Sequence, residues 1–310
     1  MIEVKNLTKR YGKHTAVDDI SFTIDKGKIY GFLGPNGAGK STTMNILTGY
    51  LAASEGDVII NGHDIFKEPE EAKKSVGYLP EIPPVYMDMT VTEYLAFAAE
   101  LKGIEKEQRQ NQCTAVIKQL ELTDVKDRLI SNLSKGYRQR VGVAQALLGF
   151  PETIIMDEPM VGLDPQQIME MRGLIRSLAK NHTVIMSSHI LGEVRETCDH
   201  LLIISKGKLV ASDTPEALEE KYCRQDSVTV EAKGDPKDVA PILDRVAGIR
   251  SVNIEKKGEN CIAHVEPGNE QIRRDIFNAF AREYRPLLSL YRQKPSLEEV
   301  YLSLVEEGRR

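Results

Sequence analysis

An α/β protein is the architecture this 310-residue sequence predicts: a mostly parallel core with an antiparallel β section, an α-helical insert and a second, small α+β domain. Three features of the chain point there. A glycine-rich loop at residues 34–42 stands between an apolar strand pattern and a helical pattern. Apolar runs alternate with helical stretches over residues 153–204, as in parallel sheets covered by helices. Beyond a polar stretch at residues 219–225 the pattern restarts as strand, helix, strand, strand, helix, strand.

Taken in order, residues 1–25 alternate short apolar stretches with polar ones around the turn-prone Tyr11-Gly12-Lys13, which predicts antiparallel strands. Ile29-Tyr30-Gly31-Phe32-Leu33 is a buried strand, and residues 41–47 open a helix that stops at Gly49. Residues 57–62 and 76–80 are further strands. Thr90-Val91-Thr92-Glu93 has capping-box spacing before Leu95, Ala98 and Leu101, and it begins the helical insert expected at about 85–150. Strands return at 153–156, 183–186 and 201–204. A helix opens at Asp164-Pro165 and carries Ile168, Met171, Leu174, Ile175 and Leu178 on one face. Ser205-Lys206-Gly207-Lys208 is a hairpin turn, and Thr214-Pro215 starts a last short helix of this first domain, expected at 1–220. The second domain, 226–310, has strands at 227–232, 249–255, 261–265 and 287–291 with helices at 236–246 and 270–284. That order is ferredoxin-like, and a final helix at 296–305 follows Pro295.

Composition narrows the function classes. A formal net charge of −5 and a pI near 5.8 give no electrostatic case for nucleic-acid binding. No stretch approaches the roughly 18 consecutive apolar residues of a membrane span, and Met1-Ile2-Glu3-Val4-Lys5 lacks the layout of a secretory leader, so a cytosolic chain is expected. The four cysteines, at 113, 198, 223 and 261, form no close pair of metal or disulfide type and are expected to be reduced.

Gly34-Pro35-Asn36-Gly37-Ala38-Gly39-Lys40-Ser41-Thr42 satisfies the phosphate-cradling pattern G-x-x-x-x-G-K-[ST]. Glycines 34, 37 and 39 are expected to adopt backbone conformations closed to other residues, turning successive N–H groups toward phosphate oxygens. The following helix adds its unsatisfied donors and positive dipole end. Lys40 supplies a point charge for the terminal phosphates, and the Ser41 hydroxyl is placed for Mg²⁺. Met156-Asp157-Glu158-Pro159 brings two carboxylates to the C-terminal end of a strand, where α/β sites lie. Asp157 is the candidate metal ligand through a water shell, and Glu158 the candidate to orient the attacking water. Leu133-Ser134-Lys135-Gly136-Tyr137-Arg138-Gln139 stands before a helix, where a serine hydroxyl and a glycine N–H make a second anion site.

With these motifs the sequence resembles the nucleotide-binding domain of ATP-binding-cassette (ABC) proteins over residues 1 to about 220. Walker A is matched at 34–42, the signature sequence at 133–139, Walker B at 153–158, the D-loop at Gly162-Leu163-Asp164 and the switch histidine at Ser188-His189. The resemblance implies the P-loop NTPase fold of ABC ATPases, ATP and Mg²⁺ as cofactors, Tyr11 stacked on adenine and His189 at the γ-phosphate. It also implies a dimer, a homodimer on the present motif set, in which Ser134, Gly136 and Asp164 of one copy meet nucleotide held by the other. Two departures stand out: Glu81 replaces the usual glutamine and is expected to remain a metal ligand, and the signature reads Ser-Lys-Gly-Tyr-Arg-Gln. Together with Lys294-Pro295-Ser296-Leu297-Glu298-Glu299, they resemble the ATPase subunits of ABC-2-type exporters. That implies a multispanning permease as partner and a location on the inner face of the cell membrane. A soluble ATPase acting on ribosomes or DNA is a second reading, but this sequence has neither a second cassette nor a long coiled coil. A nucleotide-gated regulator of a membrane or other complex, without transport, stays open. So does the role of the C-terminal domain: regulatory, dimer-supporting, or a passive stabilising appendage.

Overall fold

The computed structural model describes residues 1–221, 227–269, 271–293 and 296–307. Cys223, Glu270, Lys294 and Pro295, together with most of the expected inter-domain stretch, lie outside the described residues. The chain has two compact units, one of Met1–Pro215 with the described residues from Leu304, the other of Glu216–Ser303.

In the first unit β1 (Ile2–Tyr11) and β2 (His14–Ile24) pair antiparallel around the Gly12 turn, with Tyr11 opposite His14. β3 (Ile29–Leu33) is buried at every position, as a central parallel strand covered on both faces must be. It is followed by α1 (Lys40–Leu47), β4 (Glu55–Ile60), β5 (His63–Asp64), α2 (Pro69–Lys74) and β6 (Val76–Leu79). The insert consists of α3 (Val91–Leu101), α4 (Lys106–Gln119) and α5 (Lys135–Leu147). The expected capping box is present: Thr90 Oγ1 accepts the Glu93 N–H at 3.2 Å while the Glu93 carboxylate accepts the Thr90 N–H at 2.8 Å. Then come β7 (Thr153–Met156), α6 (Pro165–Leu178), β8 (Thr183–Ser188), α7 (Leu191–Thr197), β9 (His200–Ser205) and β10 (Lys208–Asp213); α8 (Pro215–Lys221) begins at the last residue of this unit and falls otherwise in the second.

Two sheets result. One runs β2-β1-β4-β5 and is antiparallel. The other runs β10-β9-β3-β8-β7-β6, parallel except for the antiparallel edge strand β10. Buried residues of both sheets share one core with α1, in which Phe22 of β2 meets Phe32 of β3 edge-on at 5.3 Å. This arrangement carries the C-terminal ends of β3, β7 and β8 to one edge of the parallel sheet, and the loops that leave them hold the candidate residues.

The second unit contains β11 (Ser227–Lys233), α9 (Pro236–Asp244), β12 (Ile249–Lys257), β13 (Asn260–Pro267), α10 (Ile272–Arg282), β14 (Leu287–Gln293) and the start of α11 (Leu297–Glu307). Its sheet order is β12-β13-β11-β14, antiparallel throughout, which is the order a β-α-β-β-α-β chain gives when each helix crosses back over the sheet. Val228, Val230, Ala232, Ile242, Leu243, Ile276 and Phe280 belong to its core.

Candidate functional site

The glycines of the 34–42 loop divide their work. Gly37 and Gly39 have φ of 76° and 106°, the left-handed region that favours glycine, so the chain turns sharply before α1. Gly34 does not, which corrects the expectation for that position: a Cβ there would lie 2.3 Å from the carbonyl oxygen of Ile204, so it is close packing on β9 that excludes a side chain. The loop is pinned from behind, where the Ala38 N–H donates to Pro35 O at 3.1 Å and the Gly207 N–H to Ala38 O at 2.9 Å. Its turn delivers Lys40, Ser41 and Thr42 as the first turn of α1, whose N–H groups have no acceptor within the helix.

Opposite the loop, β7 ends at Met156 and the chain turns through Asp157 and Glu158. Asp157 is 5 % exposed, donates its N–H to Leu79 O, and accepts a hydrogen bond from Ser187 Oγ at the end of β8. Glu158 has φ of 49°, a conformation that L residues other than Asn or Asp visit rarely, at a cost of about 1–2 kcal/mol. Its carboxylate lies 3.0 Å from His189 Nδ1 and 3.8 Å from Lys40 Nζ. Asp157 and Glu158 are thus separated in environment as well as sequence, one tied to the sheet and the other facing the cation and the histidine.

Together these residues line a cleft of about 530 Å³, bounded by Tyr11, His14, Ala16, Asn36, Gly37, Gly39, Lys40, Ser41, Thr42, Glu81, Glu158, Val161 and His189. Most of the expected residues therefore meet. Gly34, Pro35, Ala38 and Asp157 stand outside the lining; the first three shape the loop, and the last is held beneath Glu158 by Ser187. Tyr11 is 49 % exposed at the end of β1 with the Lys9 ammonium 5.2 Å from its ring centre. Glu81, just past β6, is exposed.

Lys40 is the electrostatic centre of the cleft. Its side chain is 6 % exposed, and its ammonium donates to Gly34 O at 2.7 Å and Pro35 O at 3.4 Å. Burial pushes its pKa below the usual lysine value, opposed by the negative charges of Glu158 and Asp157. A desolvated cation with partial counter-charge, at a helix start whose first N–H groups have no acceptor within the helix, is an environment that an anion with several oxygens would complete.

Ser134 and Gly136 lie elsewhere. Ser134 is the N-cap of α5 and accepts the Tyr137 N–H at 3.3 Å; with Gly136, Tyr137, Arg140, Leu163, Gln167, Glu170 and Met171 it borders a separate cavity of about 40 Å³. Asp164 caps α6 by accepting the Gln167 N–H at 2.8 Å. The single chain does not bring these three residues to the large cleft. Residues that the sequence did not single out also take part. His14 and Ala16 line the cleft because the β1–β2 hairpin folds them beside Tyr11. Ser187 Oγ donates to the Asp157 carboxylate and accepts the Glu158 N–H, and Ser188 Oγ donates to Glu193 at 2.9 Å while accepting the Ile190 N–H at 3.0 Å. A pair of serines closing an otherwise apolar strand was the signal available for these last groups.

Comparison with known proteins agrees with this geometry. The family profile described as ABC transporter matches residues 17–161. The bacitracin transport ATP-binding protein of Bacillus licheniformis is 42 % identical over 212 residues, 68 % of each chain. The linearmycin resistance ATP-binding protein of Bacillus subtilis (strain 168) is 31 % identical over 308 residues, 98 % of each chain. Among solved structures, an ATP binding subunit of an ABC transporter superposes with a TM-score of 0.64 at 29 % identity, covering 72 % of this chain and 93 % of that one.

Proposed function

The chain belongs to the ABC transporter family of ATP-binding subunits, and on that premise we propose that it hydrolyses ATP to energise a separate permease of an ABC-2-type exporter. The observation that carries this reading is the convergence of Lys40, Glu158, His189 and the Gly37–Gly39 turn in one cleft, while Ser134 and Gly136 open onto another. On this reading residues 1–220 are the nucleotide-binding domain, with the helical insert at about 85–150, and 226–310 are an accessory domain.

In the proposed cycle the loop N–H groups and Lys40 take the phosphates and Tyr11 takes the base. Lys40 then exchanges its carbonyl partners Gly34 and Pro35 for phosphate oxygens. Glu158 orients and polarises the attacking water, and His189, already 3.0 Å from its carboxylate, holds that carboxylate in place and contacts the γ-phosphate. Ser134, Gly136 and Asp164 of a second copy close the far side, so ATP joins two chains and loss of the γ-phosphate lets them part. The Ser41 hydroxyl and the Asp157 and Glu81 carboxylates are hard oxygen donors, and among the described residues no cluster of His, Cys, Asp or Glu is rich enough to hold a metal alone. That set fits Mg²⁺, which takes few protein ligands beside substrate phosphates and, when bound, neutralises charge on their oxygens.

Among the described residues no helix is long and apolar enough to cross a membrane; on this reading the permease is a separate chain and this subunit sits on the inner face of the membrane beside it. The relatives' names, bacitracin transport and linearmycin resistance, favour outward transport. The test is copurification with a multispanning membrane protein, followed by substrate movement in vesicles with wild type and Glu158→Gln. Movement abolished by the substitution supports the proposal. Copurification with movement indifferent to Glu158 would replace it by the regulator reading.

A further inference from the structure

We propose that Ser187 is a positioning residue for Asp157 and Glu158, through a single hydroxyl that holds one carboxylate oxygen of Asp157, so orienting the other, and the peptide N–H of Glu158. This deepens the ATPase reading and rests on it. Ser187 is fully buried near the C-terminal end of β8, next to β7 in a parallel register that pairs Met156 with Met186, so it stands level with Asp157. Its Oγ donates to Asp157 Oδ1 at 2.5 Å and accepts the Glu158 N–H at 2.9 Å.

A serine hydroxyl has one proton, so the direction of this chain is fixed: Glu158 N–H to Ser187 Oγ, and Ser187 O–H to Asp157. The consequences are specific. The donated proton commits Oδ1 of Asp157 to the protein and leaves Oδ2 as its oxygen for a cation's water shell. The accepted N–H holds Glu158 at its left-handed φ of 49°, which keeps its carboxylate within reach of Lys40 and His189. Asp157 is buried and Glu158 half-buried, so loss of the hydroxyl would leave a carboxylate oxygen and a peptide N–H without this partner. Ser188, the next residue, points to the other side of the strand and serves Glu193 and Ile190, so the two serines do not substitute for each other.

The experiment uses the full chain with a non-hydrolysable ATP analogue and Mn²⁺ as a paramagnetic stand-in for Mg²⁺, free Mn²⁺ being read by electron paramagnetic resonance. Ser187→Ala is expected to weaken Mn²⁺ binding about tenfold, the scale of outer-shell partners of metal ligands. Affinity for the analogue in excess chelator, which depends on the loop and Lys40, is expected to stay within twofold of wild type. Unchanged Mn²⁺ affinity would overturn the proposal, and so would an equal fall in chelator, which is what general disruption of the site produces. If wild type itself retained no analogue under either condition, the ATPase reading would fail, a result distinct from both.

Discussion

Replacing Glu158 by glutamine separates the two tasks that the cleft assigns to its charges. The carboxylate and the Lys40 ammonium lie 3.8 Å apart with side chains 11 % and 6 % exposed, so their gross attraction at an effective dielectric near 20 is about 4 kcal/mol. Glutamine keeps the shape and removes the charge. Lys40 then keeps its burial and loses its nearer counter-charge, while Asp157 remains, so a triphosphate has more to offer it than in wild type. If one third of the gross attraction reappears in binding, about 1.4 kcal/mol, ATP is held tenfold tighter. Turnover moves the other way, because a carboxamide cannot polarise water as a carboxylate does; a fall of about 10²–10⁴ is expected. Binding of a fluorescent ATP analogue and steady-state phosphate release, measured on the same preparation, read both quantities. Turnover within tenfold of wild type, or nucleotide affinity lost along with turnover, would refute this division of roles.

Other perturbations probe the neighbouring parts. Glu81→Gln restores the residue usual in the family and is expected to keep measurable phosphate release; a loss as deep as that of Glu158→Gln would show that the two carboxylates share one task. Gly39→Ala places a Cβ 2.5 Å from the Ala16 carbonyl at φ of 106°, so a drop of more than about 2 kcal/mol in urea unfolding and loss of nucleotide binding are expected, whereas stability within about 0.5 kcal/mol of wild type would contradict the geometry. Glu193, 6 % exposed beside Ser188, has its pKa raised, first by burial and further by Glu158, with Ser188, His189 and Arg172 opposing. A raised carboxylate pKa means that the folded chain holds the proton more tightly than the unfolded one, so this group's contribution is most favourable below the unfolded value near 4.5 and is lost as pH rises through the folded value. Glu193→Gln should therefore gain thermal stability relative to wild type as pH rises from 4.5 to neutral; parallel melting-temperature curves would count against the buried charge.

Much of this arrangement was legible in the residues because local signals and tertiary needs agree. Thr90 and Glu93, Ser134, and Asp164 with Pro165 mark helix starts in the sequence, and each caps the helix expected of it. The unbroken apolar run 29–33 marks a central parallel strand for the same reason. The short helices α2 and α7 escaped notice: each has too few turns for an apolar periodicity to emerge, and Ala72 is the one buried residue of the first. Gly34 shows the opposite limit, since its type was read correctly and its reason was not. The contact with Ile204 joins residues far apart in the chain, and no local pattern reports it. Ser187 was missed on the same ground, its partners being set by the register of β7 against β8.

Cavity size also bears on how many chains a complete site needs. The cleft beside Lys40, at about 530 Å³, lies within the range of small-molecule pockets, roughly 300–1,000 Å³. The cavity beside Ser134 and Gly136, at about 40 Å³, is more than tenfold smaller than that cleft and far below the small-molecule range. A Cβ at Gly136 would lie 3.0 Å from the Gln167 side chain, so α6 already closes this end of α5. Ser134 and Gly136 therefore form no nucleotide pocket of their own. On the proposed reading they act as one wall of a pocket whose other wall comes from the Lys40 cleft of another copy. That reading predicts that substitution at Ser134 leaves nucleotide affinity of isolated monomers unchanged while weakening nucleotide-dependent dimerisation, a split that sedimentation with and without Mg-ATP can detect and that a one-chain site would abolish.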